Sequence, residues 1–236
     1  MSTSVSTAPL RALVALAAAT AALAGAASGT ASTAVRTPRA ASVGLAAAAA
    51  QVRRELRGLG QRGLVLGDPR AAVSIIEYTD LDCPLCSRVH TRVLPAVIER
   101  FVRTGRASIE LRAVATSARS RSLALGAYAA TPQHRGWDLV QLAYLRSVQR
   151  SDAAPEAGSR LASALRLDLA SWRRSLPDPE WNLQLRAARS VVAVARFTRA
   201  PVFLLRRRGA SGPFVVLTAP GSVASFGAAI ARAAHG

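Results

Sequence analysis

Cys83 and Cys86 are the only cysteines in the chain, and they stand three residues apart in Cys83-Pro84-Leu85-Cys86. Two thiols at this spacing can form a redox-active dithiol, close a structural bridge, or supply half of a metal site. On a helix, positions i and i+3 lie on one face, close enough for two sulfurs to join. A structural bridge over so short a loop contributes only about 2 kcal/mol in the chain-entropy model, a weak use of the sole cysteine pair. A structural zinc site requires four ligands, and His90, His134 and His235 are scattered without forming a second ligand pair, so no metal is expected. The residues favour redox chemistry.

The surrounding sequence tells what must hold the two thiols. Val73 to Tyr78 (VSIIEY) is apolar and rich in β-branched residues, which predicts a strand. Thr79-Asp80-Leu81-Asp82 reads as a polar turn. Val89, Val93, Val97 and Phe101 then recur every fourth residue, with Leu94 and Ile98 beside them, which predicts a helix. The cysteine pair therefore opens a helix, with Pro84 at its first position, where a missing N–H costs nothing. Unpaired N–H groups and the helix dipole favour an anion there, and the thiolate is the reactive form of cysteine. Leu85 offers neither charge nor donor, and Asp80 and Asp82 are expected to repel a thiolate. Together these place the Cys83 pKa at roughly 5–7, within the range of helix-start thiols. Pro95 should kink the helix. Glu77 ends the strand; if buried, its carboxyl is raised, and the alternative is an exposed strand-end carboxylate.

The stretch LGDPRAAVSIIEYTDLDCPLCSRVHTRVLP resembles the start of a DsbA-like thioredoxin-fold oxidoreductase. That family shows a Gly-Asp/Asn-Pro lead-in, a strand ending in Glu-aromatic-x-Asp, a CPxC motif, a nearby His, and Leu-Pro within the helix. The similarity runs from about Leu56 to Gly236. It implies an α/β, thioredoxin-like fold with a helical insertion domain over about 117–195. It implies Cys83 as nucleophile and Cys86 as resolving thiol. Glu77 would lie beneath the motif and exchange a proton with Cys86. Ala200-Pro201 would form the substrate-binding cis-proline loop, although Arg199-Ala200 departs from the usual Gly-Thr pair; a trans proline at a strand start is the alternative. Pro84, Leu85 and His90 would modulate the thiols, His90 first as a packing residue and second through its electrostatics. The only redox group would be the Cys83–Cys86 disulfide, with no dissociable cofactor. Partners by this analogy are unfolded or newly exported protein substrates and a quinone-linked membrane thiol oxidase.

Composition bounds the rest. The 236 residues accommodate one sizeable domain and a leader. The formal charge is +18, and all 31 basic residues are Arg. They are dispersed apart from Arg206-Arg207-Arg208, and no basic stripe with interleaved aromatics is present, so nucleic acid is not an expected partner. Residues 1–26 read as a signal peptide, with Arg11 before an Ala-rich apolar run and Ala24-Gly25-Ala26 as the cleavage site; an uncleaved anchor is the alternative. Residues 27–48 read as a flexible linker, and 49–236 as the domain. An extracytoplasmic location follows, secreted, periplasmic or in the cell envelope. Gly44–Leu59 reads as a short helix, and the family resemblance implies an extra short strand in the Gly60–Pro69 lead-in. Ala107–Ala115 reads as a second strand, which the family topology places parallel to the first. Ser117–Ala195 is helical, its last helix carrying Trp181, Leu185, Ala188, Val192 and Ala195 on one face. Pro201–Leu205 and Phe214–Thr218 form a hairpin, and Val223–Ala234 a closing helix.

Three functions fit these residues: an exported thiol:disulfide oxidoreductase, a reductase or isomerase of the same fold, and a non-catalytic thioredoxin-like binding or chaperone module. The intact CPLC motif, Glu77 and Pro201 argue against the last.

Overall fold

The computed structural model describes residues 38–146 and 154–235. The leader assigned to residues 1–26 lies outside them. Helix α1 (Pro38–Glu55) comes first, so the segment expected to be a linker over 27–48 is helical from Pro38 onward. The cause is tertiary as much as local: Ala49, Val52 and Leu56 are buried, and α1 packs on α5 and α6. Ala49 and the partly buried Ala48 supply small side chains for that close packing.

Two short strands, β1 (Gln61–Arg62) and β2 (Val65–Leu66), form a hairpin where a single extra strand was expected. Strand β3 (Val73–Thr79) leads to helices α2 (Pro84–Arg92) and α3 (Leu94–Val97), a π-helical turn (Ile98–Val102) and strand β4 (Ala107–Ala113). The expected kink is a break. Pro95 lacks an N–H and its ring conflicts with the carbonyl one turn back, so α2 stops at Arg92 and the chain restarts at Leu94. The helical region follows as α4 (Ala118–Ala129), α5 (Gly136–Arg146), α6 (Ala154–Ala164), α7 (Leu169–Ser175) and α8 (Pro179–Val194). Strands β5 (Val202–Arg207) and β6 (Val215–Thr218) and helix α9 (Val223–His235) close the fold.

The six strands are ordered β1-β2-β4-β3-β5-β6. β3 is parallel to β4, as expected, and antiparallel to β5. Alternation along β3 divides its side chains between two faces. Val73 and Ile75 enter the main core beneath α2, with Phe203 and Phe226 edge to face at 4.8 Å. Tyr78 turns to a smaller cluster with Val202, Leu204 and Ala188 of α8. The inward stripe of α8 holds at Leu185 and Ala188 and thins at Val192, and Ala195 is exposed. Among the described residues, no helix is long and apolar enough to cross a membrane.

Candidate active site

Helix α2 begins where β3 runs out of the sheet. Asp80 Oδ1 accepts the Asp82 N–H at 2.7 Å and the Asp80 carbonyl accepts the Cys83 N–H at 3.1 Å, which tightens the intervening turn. Cys83 is the N-cap, with extended backbone, and Pro84 follows at the first helical position. The Cys83 sulfur occupies the place of a capping oxygen and accepts the Cys86 N–H at 3.2 Å. Cys83 is half-buried, whereas Cys86 is buried; both are free thiols.

Their environments drive the two thiols apart. The Cys83 pKa is lowered to about 6, chiefly by a hydrogen bond from the Cys86 side chain and further by the Cys86 and Leu85 backbone N–H groups. Burial and the Asp80 charge work against this but do not reverse it. Cys86 is pushed up, because it donates to Cys83 and because burial penalises its anion. The value for Cys83 lies inside the range read from sequence. Its leading cause is different: the partner thiol contributes more than the helix-start backbone.

The acidic residues around the motif are also more constrained than their types suggested. Asp82 is paired with Arg119 of α4 at 3.0 Å. Asp80 Oδ2 accepts hydrogen bonds from the Thr116 N–H, at 3.0 Å, and from its hydroxyl. The expected repulsion therefore survives only as a minor effect of Asp80 on Cys83, and both carboxylates tie the turn to the segment after β4.

Behind the motif, Glu77 is fully buried, which removes the exposed-carboxylate alternative. Its Oε1 lies 2.8 Å from His90 Nε2, and His90 Nδ1 lies 2.6 Å from Gln141 Oε1 of α5. An oxygen thus faces each ring nitrogen. Glu77 Oε2 is buried without a hydrogen-bond partner among the described residues. The His90 ring also stacks on Tyr144, with centroids 4.0 Å apart. His90 both packs and links β3, α2 and α5.

Sequence reasoning missed Thr79 and Tyr144. The Thr79 hydroxyl hydrogen-bonds the Cys86 sulfur, which opposes the rise in the Cys86 pKa. It also lies 2.7 Å from the Tyr144 hydroxyl, which donates to the Asp80 carbonyl at 3.1 Å. Thr79 reads in sequence as the first residue of the polar turn, and Tyr144 falls within the helical stretch 117–195 with nothing to single it out. Burial raises the Tyr144 pKa well above its usual value, and the charges of Cys86 and Glu77 raise it further. Both groups therefore lie within electrostatic reach of this hydroxyl.

The Ala200–Pro201 peptide bond is cis. Pro201 precedes β5, whose Val202 pairs with Tyr78, so the loop sits at the end of β3 that leads to Cys83. Pro84 is exposed and Leu85 half-buried at the surface of the motif. His134 is exposed and bonds the Gln61 carbonyl at 3.0 Å, outside this assembly. No group of three or more His, Cys, Asp or Glu side chains suited to a metal ion is found among the described residues.

Comparison with known proteins follows the same lines. Residues 60–168 match the family model described as Thioredoxin. No curated protein matches the sequence. Among solved structures, alpha-DsbA1 from Wolbachia pipientis is similar with a TM-score of 0.63 and 19% identity, covering 73% of this chain and 90% of that one. Oxidised BdbD from Bacillus subtilis has a TM-score of 0.59 and 17% identity, covering 75% of this chain and 98% of that one. The thiol-disulfide exchange protein alpha-DsbA2 from Wolbachia pipientis has a TM-score of 0.57 and 13% identity, covering 82% and 97%. These likenesses establish a shared fold, and the helices between β4 and β5 occupy the place of the expected insertion.

Proposed function

From the premise of a thioredoxin-family domain at residues 60–168 within a DsbA-like fold, we propose that this protein is an exported thiol:disulfide oxidoreductase acting on protein substrates. The observation that carries the reading is the unequal setting of the two thiols: Cys83 is half-buried at the helix N-cap and its sulfur accepts the Cys86 N–H at 3.2 Å, whereas Cys86 is buried, and this setting lowers the Cys83 pKa and raises that of Cys86. A structural bridge has no need of that asymmetry, whereas exchange chemistry depends on it.

In the oxidising direction, a substrate thiolate attacks Cys83 Sγ of the Cys83–Cys86 disulfide. The S–S bond breaks, Cys86 leaves with the electron pair and takes a proton, and substrate and Cys83 are joined in a mixed disulfide. A second substrate thiolate then attacks the substrate sulfur of that bond and expels Cys83 as a thiolate. The substrate gains a disulfide and the protein gains two electrons. A thiolate stabilised near neutral pH favours the reduced protein, which makes its disulfide the better oxidant. A pKa of about 6 lies between the roughly 7 of thioredoxin and the roughly 3.5 of the strongest oxidants, in keeping with Leu85 in the motif. Glu77 serves as the buried proton reservoir for Cys86, held by His90, with Thr79 as the group in contact with the Cys86 sulfur. Ala200 and Pro201 present backbone to the substrate chain. Re-oxidation falls to a quinone-linked membrane thiol oxidase, by family analogy, and residues 1–26 direct export; N-terminal mass spectrometry of the exported protein, expected to begin after Ala26, checks the latter.

The decisive experiment separates the two sulfurs. Cys86→Ser removes the resolving thiol; offered a disulfide-containing substrate, its Cys83 thiolate attacks one substrate sulfur, expels the other as a thiolate, and is expected to accumulate covalent, reductant-sensitive adducts. Cys83→Ser leaves only a buried thiol of raised pKa and should form few. Glu77→Gln should still form adducts but resolve them more slowly. Non-reducing electrophoresis after acid quenching reads all three, and equal trapping by the two cysteine variants would falsify the assignment.

A further inference from the structure

A groove of about 420 Å³ opens between the segment after β4 and the C-terminal end of α8. Its floor is apolar, formed by Val114 after β4, Val192 of α8 and Phe197. Two arginines, Arg189 and Arg196, line it. Both are exposed, and neither has an ion-pair partner among the described residues. Thr116 closes one end; its backbone and hydroxyl bond Asp80, whose carbonyl accepts the Cys83 N–H. Phe197 leads along the chain to Ala200-Pro201. The groove is thus tied through Thr116 to the turn before Cys83, and its lining residue Thr198 stands two residues before Ala200-Pro201.

The end of α8 explains how Arg196 comes to face this groove. Arg196 N–H bonds the Ala193 carbonyl at 3.2 Å and Phe197 N–H bonds the Val192 carbonyl at 3.1 Å, a Schellman termination. Its left-handed position is usually Gly, yet here Arg196 holds a φ of 53°. The backbone would be more easily satisfied by Gly; the guanidinium is what Gly would not provide. An i, i+3, i+4 stripe of α8, Arg189, Val192 and Ala193, faces the same space. An apolar floor between two unpaired cations complements a peptide that is apolar and acidic.

We infer that this groove seats an extended segment of substrate polypeptide carrying acidic residues beside its cysteine. The identity of the occupant rests on the oxidoreductase reading above; the binding chemistry rests on the groove. With the chain at +18 overall, any acidic peptide is attracted in general, so the test must isolate the two arginines from bulk charge.

Two fluorescent peptides serve as probes, identical in apolar residues, with Ser in place of Cys, one flanked by Asp and Glu and the other by Lys. Anisotropy with the full protein is expected to show tighter binding of the acidic peptide. Arg189→Gln with Arg196→Gln should reduce that preference about tenfold, as two partly exposed ion pairs allow. Arg196→Gly should weaken it while keeping or raising the melting temperature, so loss of fold cannot account for the result. Arg207→Gln, at the end of β5 opposite Pro201, controls for net charge and should keep the preference within about twofold. An unchanged preference in the double variant, or an equal loss in Arg207→Gln, overturns the groove. Failure of Cys86→Ser to trap substrate, with the anisotropy result intact, overturns the oxidoreductase reading instead and leaves a peptide-binding groove.

Discussion

At the scale of single residues, the candidate site sets two chemically identical groups apart. Cys83 is half-exposed at a helix start and accepts hydrogen bonds; Cys86 is buried and donates one. Because the folded-state pKa of Cys83 is depressed from 9.0 to about 6, its ionisation favours the folded, reduced protein above the unfolded pKa. That contribution is lost as pH falls from about 9 through about 6. The disulfide form has no such thiol. The melting temperature of the reduced protein should therefore rise relative to the oxidised protein as pH increases across that window, and Cys83→Ala should lose this trend. Ultraviolet thiolate absorbance should give a midpoint near 6; a midpoint in the range of free cysteine, about 8.5, would contradict an activated Cys83.

At the scale of elements, β3, α2 and α5 are joined by polar groups where most folds use apolar ones. Glu77 comes from β3, His90 from α2, and Gln141 with Tyr144 from α5. Removing one member of a buried pair strands the other without compensation, at a cost of about 3–5 kcal/mol. His90→Ala should therefore lower stability by about that amount in urea denaturation. Glu77→Leu combined with His90→Leu should recover a large part of it, since neither partner is then left alone. A His90→Ala cost below about 1 kcal/mol would show that the pair is not a constraint on these elements. Tyr144→Phe removes the hydroxyl between Thr79 and the Asp80 carbonyl and should cost about 1–2 kcal/mol, with slower resolution of the mixed disulfide as the separate readout.

At the scale of the whole molecule, the sheet presents one face to a large core and the other to a smaller cluster under α8. The N-terminal helix belongs to the larger core. Ala49, Val52 and Leu56 are buried there, and Arg53 donates to the Ala164 carbonyl at 3.3 Å. Leu56→Ala should cost about 2–5 kcal/mol by leaving a cavity. Measured by urea denaturation, a loss under about 0.5 kcal/mol would mean that α1 is dispensable to the domain. The same packing holds in the domain a helix that begins at Pro38, inside the segment expected to be a linker.

The local order of this protein was legible because its signals are local. β3 shows as a β-branched run, α2 as a fourfold apolar repeat, and the cysteine pair by its spacing and by Pro84. The helical region between β4 and β5 and the closing hairpin were likewise readable from periodicity and turn residues. Tertiary structure decided everything that depends on which face meets which. It carried the helix read from Gly44 back to Pro38, into the segment expected to be a linker, and set Ala49 and Val52 in the core. It paired Asp82 with Arg119 and Asp80 with Thr116, leaving only a minor effect of Asp80 from the repulsion that residue types alone suggested. It gave Glu77 to His90 and gave Cys86 a contact with Thr79. The sequence by itself determined which thiols can react and where the helix beneath them begins. Only long-range packing determined how their protons and charges are balanced, because burial and hydrogen-bond partners are properties of neighbours in space.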